Sequence, residues 1–92
     1  MNPEIRDLLD WYTTKLGEYA LENHLYLCVS RPGDYEGAVI SADFRKEPYS
    51  ERHEDRRVFW ITLVNRDLKS RYEILSNIVD IIDNWLRTAT YH

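Results

Sequence analysis

A single cysteine, Cys28, stands among the 92 residues, so no intramolecular disulfide and no cysteine-built zinc site can form. Three glycines are too few for a glycine-rich phosphate loop or a G-x-S-x-G nucleophile elbow, and no HExxH occurs. Long hydrophobic runs are missing as well. The longest, Val58 to Val64, is interrupted by Thr62 and is far too short to span a bilayer. The opening MNPEIRDLLD has neither a basic n-region nor an apolar h-region, so no secretory leader is expected. The expected location is a reducing, cytoplasmic compartment without membrane association. A basic excess is absent too: twelve Lys and Arg face sixteen Asp and Glu, a formal charge of -4. Repeats, low-complexity tracts and linkers are not seen.

What is present is a globular composition, 43% apolar and 30% charged. Residues 1–92 are expected to form one domain with a radius of gyration near ~12 Å. At that size a deep, multi-walled active site is hard to build without an oligomer.

From Asn2 to about Asn23 the chain reads as an amphipathic helix. Asn2 is a candidate cap and Pro3 suits the first helical position. Glu4, Asp7 and Asp10 place negative charge at the positive end of the helix dipole. Ile5, Leu8, Leu9, Tyr12, Leu16, Tyr19 and Ala20 fall on one stripe. Gly17 breaks the pattern, marking either a close crossing over a sheet or an early helix end.

At Leu25 the period changes to two. Leu25, Leu27 and Val29 alternate with Tyr26, Cys28 and Ser30, the pattern of a half-buried strand. Pro32-Gly33-Asp34 and Gly37 supply turn chemistry, and Ala38 to Phe44 forms a second strand antiparallel to the first. Residues Arg45 to Arg57, RKEPYSERHEDRR, carry nine charges in thirteen positions with no apolar period. A loop of that length is uncommon in a compact domain unless it is functional or disordered. VFWITLVN, from Val58, is the strongest strand signal. The last helix is expected to start with a capping box, Ser70 as N-cap and Glu73 three residues on, and to run through Leu86. A frayed tail covers 87–92. The predicted fold is therefore α+β, in the order α-β-β-β-α, with a three-stranded antiparallel meander packed by two helices.

The third strand is apolar on both faces. Phe59, Ile61 and Leu63 point one way; Val58, Trp60 and Val64 point the other. A strand in a two-layer domain should instead alternate apolar and polar residues. One helix on each sheet face would make Trp60 core. Both helices on one face would leave it bare, beside Tyr26, Cys28 and Val39, as a patch of the kind that marks an interface. The simplest cover is then a second copy around a two-fold axis. The wide apolar stripe of the last helix points the same way.

Candidates for chemistry are thin. His53-Glu54-Asp55, with His24 or His92, imitates a metal site, but a charged loop rarely gives ligands fixed geometry. A solvated histidine is the simpler reading. Cys28 lies in a strand without a histidine partner and reads as a buried structural thiol. Arg45, Lys46, Arg52, Arg56 and Arg57, with Tyr49 among them, could grip phosphates and stack a base. Glu47, Glu51, Glu54 and Asp55 nearly cancel that charge. The acidic rows of the two helices suggest mimicry of a nucleic-acid backbone, but Arg6, Lys15 and Arg87 interrupt them, and a solvated helix face explains them.

The expectation is a non-enzymatic protein-binding module, acting as a homodimer, with no cofactor and no metal. It would serve as a small adaptor, a chaperone-like factor or an inhibitor of a larger protein. Trp60 is the expected anchor, with Tyr26, Val39 and Val58 as neighbours. Arg52, Arg56, Arg57 and Tyr49 would supply a polar rim. The competing expectation is a nucleic-acid binder using the loop 45–57.

Overall fold

Pro3 opens the first helix, α1 (Pro3–Glu22), in the computed structural model, which describes residues 3–30, 39–63 and 68–88. Leu8, Tyr12, Leu16 and Ala20 recur every fourth residue along α1 and are all buried. Gly17 neither crosses the sheet closely nor ends the helix: α1 runs through it, and a Cβ there would meet nothing within 4 Å. The helix ends instead at His24, whose φ of 57° is left-handed. The amide of Leu25 then reaches back to the Ala20 carbonyl at 2.9 Å and that of His24 to Leu21 at 3.3 Å. This is the paired bonding of a Schellman end, with histidine where glycine is usual.

Three strands follow: β1 (Tyr26–Ser30), β2 (Val39–Arg45) and β3 (Arg56–Thr62). They form an antiparallel sheet in the order β1-β2-β3, followed by α2 (Leu68–Thr88). The fold is thus α+β, α-β-β-β-α. Ser70 lies inside the first turn of α2 rather than capping it, because the helix begins at Leu68. At the other end Arg87 and Thr88 remain helical, with the Thr88 hydroxyl donating to the Trp85 carbonyl at 2.9 Å. Asn2, the turn residues Pro32 to Gly37, Ala38, Val64 and His92 lie outside the described residues.

Both helices pack on the same side of the sheet. Ile40, Ala42 and Phe44 of β2, Ile61 of β3 and the adjoining Leu63 join Leu8, Tyr12, Leu16 and Ala20 of α1 in one core. From α2 the core takes Ile78, Ile82 and Trp85. Edge-on aromatic pairs, Tyr19 with Phe44 and Phe44 with Phe59, tie the layers together. Between the helices the Tyr19 hydroxyl donates to Asp83 and, at 3.5 Å, to the Val79 carbonyl. Burial first, and then the Asp83 carboxylate, push the Tyr19 phenol well above its ordinary range. The wide stripe of α2 goes mostly into this core; Ile81 and Tyr72, each about half exposed, remain outside. With no described element on the other side of the sheet, the shape is a slab of 45 × 27 × 17 Å. Its radius of gyration is 13.7 Å, larger than the sequence length implies, because the layers stack only on one side.

Candidate functional site

The open side of the sheet is built by strand alternation. Pairing places Tyr26, Arg45 and Arg56 in one row across the three strands. Cys28, Asp43 and Val58 form the next row, then Ser30, Ser41 and Trp60, with Val39 opposite Thr62 beyond. Trp60 is 67% exposed, Tyr26 52% and Val58 40%. Cys28 is exposed as well, a correction to the expected buried thiol, since no described element covers this face. Val58 and Trp60 are successive outward residues of β3, and Val39 lies diagonally across the β2–β3 pair from Trp60. Tyr26 is two strands away, roughly 10 Å across the sheet, with the polar middle strand between. The surface is an aromatic and arginine mixture, the composition that distinguishes the centres of protein interfaces from other surface.

Asp43 occupies the middle of this face. It accepts from Arg45 Nε at 3.3 Å and Nη2 at 3.1 Å and from Arg56 Nε at 3.2 Å, with Arg56 Nη2 in ion-pair contact at 3.0 Å. Arg45 and Arg56 face each other directly across the β2–β3 ladder, so without the carboxylate two like charges would be opposed. Only 9% of Asp43 is exposed. Burial alone would raise its pKa, but the hydrogen bonds and charges of the two arginines outweigh it and hold the carboxyl below its usual range. Beside this triad the Ser30 and Ser41 hydroxyls lie 3.3 Å apart.

The charged segment between β2 and β3 is shorter than the expected 45–57, since both strands extend into it, and it is ordered. The Lys46 amide donates to the Asp55 carbonyl at 2.9 Å, closing the base of the loop. The Ser50 hydroxyl donates to Asp55 Oδ2 at 2.9 Å and accepts from the Arg52 amide at 3.3 Å. A single 3-10 turn, His53–Asp55, leads into β3. Trp85 of α2 fastens the whole to the fold. Its indole N–H donates to the Glu54 carbonyl at 2.8 Å, and Lys46 and Arg57 lie over its ring at 4.8 and 4.9 Å.

These contacts distribute the expected site residues over two surfaces. Trp60, Val58, Val39, Tyr26 and Arg56 share the open face. Arg57 alternates to the helix side, where its Nη1 donates to the carbonyls of His53 at 3.0 Å and Arg56 at 2.7 Å. Arg52 pairs with Glu54 in the loop, and Tyr49, 93% exposed, stands at its tip. A groove of about 980 Å³ follows β3, lined by Glu51, His53, Glu54, Arg56, Val58 and Trp60 among others. Asp43 and Trp85 were not singled out from the sequence as site residues, and Arg45 was read only as part of a phosphate-gripping loop. Asp43 sits at an outward β2 position, which was legible, but its pairing with Arg56 needs the strand register. Among the described residues no group of three or more His, Cys, Asp and Glu side chains could hold a metal, and no helix is long and apolar enough to cross a membrane. Comparison with protein-family models, curated proteins and solved structures finds no match to the chain.

Proposed function

We propose that the chain is a non-enzymatic protein-binding module that docks through the open face of its sheet and acts as a homodimer. In that role it serves as a small adaptor, chaperone-like factor or inhibitor of a larger protein. The observation that carries this reading is Trp60, two-thirds exposed on a sheet face that no described element covers. The exposed part of the indole is on the order of 150 Å², worth about 4 kcal/mol if fully buried by a partner. Val58 and Val39 extend that surface, and the Asp43 triad supplies a rigid polar centre beside it. The ordered loop, fixed by Trp85, presents Tyr49 and Arg52 at a constant position from which they can select a partner.

A nucleic-acid reading draws less support. Arg45 and Arg56 are engaged by Asp43, Arg52 by Glu54, and Arg57 by two carbonyls, which leaves Lys46 over Trp85. The test is solution mass by light scattering at micromolar concentration and two salt strengths, on the wild type and Trp60→Glu. A salt-insensitive dimer that Trp60→Glu reduces to monomers, with its helical circular dichroism intact, is the expected result. An unfolded Trp60→Glu protein would mean that Trp60 is core and sink the proposal. Association that weakens steeply with salt would favour phosphate-type contacts instead.

A further inference from the structure

Backbone parity along β3 indicates how the two copies meet. The Lys46–Asp55 bond makes that pair a hydrogen-bonded one in the antiparallel ladder, which continues in register as Arg45 opposite Arg56 and Phe44 opposite Arg57. Such pairs alternate, so Arg57, Phe59 and Ile61 bond to β2. The N–H and C=O groups of Arg56, Val58, Trp60 and Thr62 therefore point away from β2, toward the free edge. Those of Arg56 are already taken: its amide donates to the His53 carbonyl, and its carbonyl accepts from Arg57 Nη1 at 2.7 Å. Among the described residues the unpaired edge is thus confined to Val58, Trp60 and Thr62, a set symmetric about Trp60. The stretch Val58–Thr62 itself contains no charged residue, proline or bulge, the usual defences of an exposed edge; the charges near it, Glu51, His53, Glu54 and Arg56, lie toward its Val58 end.

We propose that two copies pair antiparallel through this edge of β3, on a two-fold axis passing through Trp60. The proposal rests on the reading of the Trp60 surface as a self-association site and specifies its geometry. Only this register uses all the free groups. It sets Val58 against Thr62 of the second copy, and Trp60 against its own copy, giving about six inter-chain hydrogen bonds. A slip of one residue sets free groups against residues already bonded to β2, and a slip of two puts a free residue opposite Arg56, already bonded, or past the end of β3. On the open face the two indoles become a cross-strand aromatic pair. On the helix side Phe59, the half-buried member of its row, meets Ile61 of the second copy and extends the core across the seam. The Arg56–Arg57 clusters lie at opposite ends of the paired segment, whereas parallel pairing would oppose them. The product is a six-stranded sheet with all the helices on one face.

The test uses the full chain and a substitution that touches only the edge. Val58→Pro removes an N–H that points away from β2, a position where an edge strand tolerates proline. The light-scattering mass should fall to the 11.1 kDa of one chain while circular dichroism is retained. A dimer that survives Val58→Pro but not Trp60→Glu associates face to face, and would overturn the edge geometry while leaving the proposed function standing. A wild type that is monomeric at every concentration would overturn both. Cross-linking reads the register even if Val58→Pro fails to fold. In a Cys28→Ser background, Val58→Cys and Thr62→Cys chains should form a disulfide-linked dimer when mixed, since their Cα atoms would lie about 5.5 Å apart. Neither should do so alone, because like positions would be offset by roughly 13 Å along the strands. Cross-linking of either chain alone, or no cross-linking in the mixture, would refute the register.

Discussion

Replacing Asp43 by Asn tests whether the centre of the open face is held by charge or merely by shape. The side chain keeps its size but offers one carbonyl oxygen to two guanidinium groups that now receive four contacts of 3.0–3.3 Å. Asp43 itself is nearly buried, which favours strong charge-assisted bonds. The arginine side chains are 26% and 40% exposed, which weakens them. Each pair is then worth on the order of 1 kcal/mol, and Asp43→Asn should cost about 2 kcal/mol at pH 7. For a chain of this length that is a fall in Tm of roughly 10 °C, readable by calorimetry or thermal circular dichroism. The pH dependence discriminates further. Asp43 titrates lower in the folded state than in the unfolded chain, where it regains an ordinary value near ~4. Its contribution is complete above that value, erodes as the pH falls through it, and vanishes below the depressed folded pKa. The gap between wild type and Asp43→Asn should therefore be widest at neutral pH and close in acid. A gap below about 0.5 kcal/mol at pH 7, or one that stays constant down to pH 2, would refute the charge account.

Trp85→Phe keeps most of the buried ring but leaves the Glu54 carbonyl without its donor, so a loss of about 1–2 kcal/mol is expected. Hydrogen exchange should then quicken at the Lys46 and Asp55 amides, while protection in β1 is unchanged; uniform loss would show that Trp85 acts on the core alone. Gly17→Ala should stabilise by about 1 kcal/mol, raising Tm by several degrees, since the added methyl meets open space inside a continuous helix. A lower Tm would mean that a close approach at Gly17 has been overlooked.

The fold was legible because each element carries its own period. Leu8, Tyr12, Leu16 and Ala20 repeat every four residues, and Leu27 and Val29, like Ile40, Ala42 and Phe44, every two; all of them face the core. Element ends were less so. The left-handed His24 carries no composition signal of glycine or asparagine, and Ser70-x-x-Glu73 matched a capping box two residues inside a helix that had already begun. The charged loop misled for a different reason. Its order depends on Trp85, thirty-one residues from Glu54, and no local pattern announces a contact of that range.

The doubly apolar β3 posed a choice that sequence could not make, because hydrophobic periodicity says which residues avoid water and not what covers them. Packing decides it: α1 and α2 need each other for Tyr19, Asp83 and the Trp11–Tyr72 edge contact, and a helix on each face would forfeit these. Once both lie on one side, the alternation that buries Phe59 and Ile61 must turn Val58 and Trp60 outward. The same alternation turns Asp43, Arg45 and Arg56 outward together, where diagonal and cross-strand spacing lets one carboxylate reconcile two arginines. Val58 and Trp60 thus stand where side-chain exposure and unpaired backbone coincide, on the uncharged stretch of an edge strand. Stability of the separate chain does not require an indole there, since every described buried residue of the core lies on the other side of the sheet. A partner that burial of Trp60 would hold is the economical account of why an aromatic ring occupies that position.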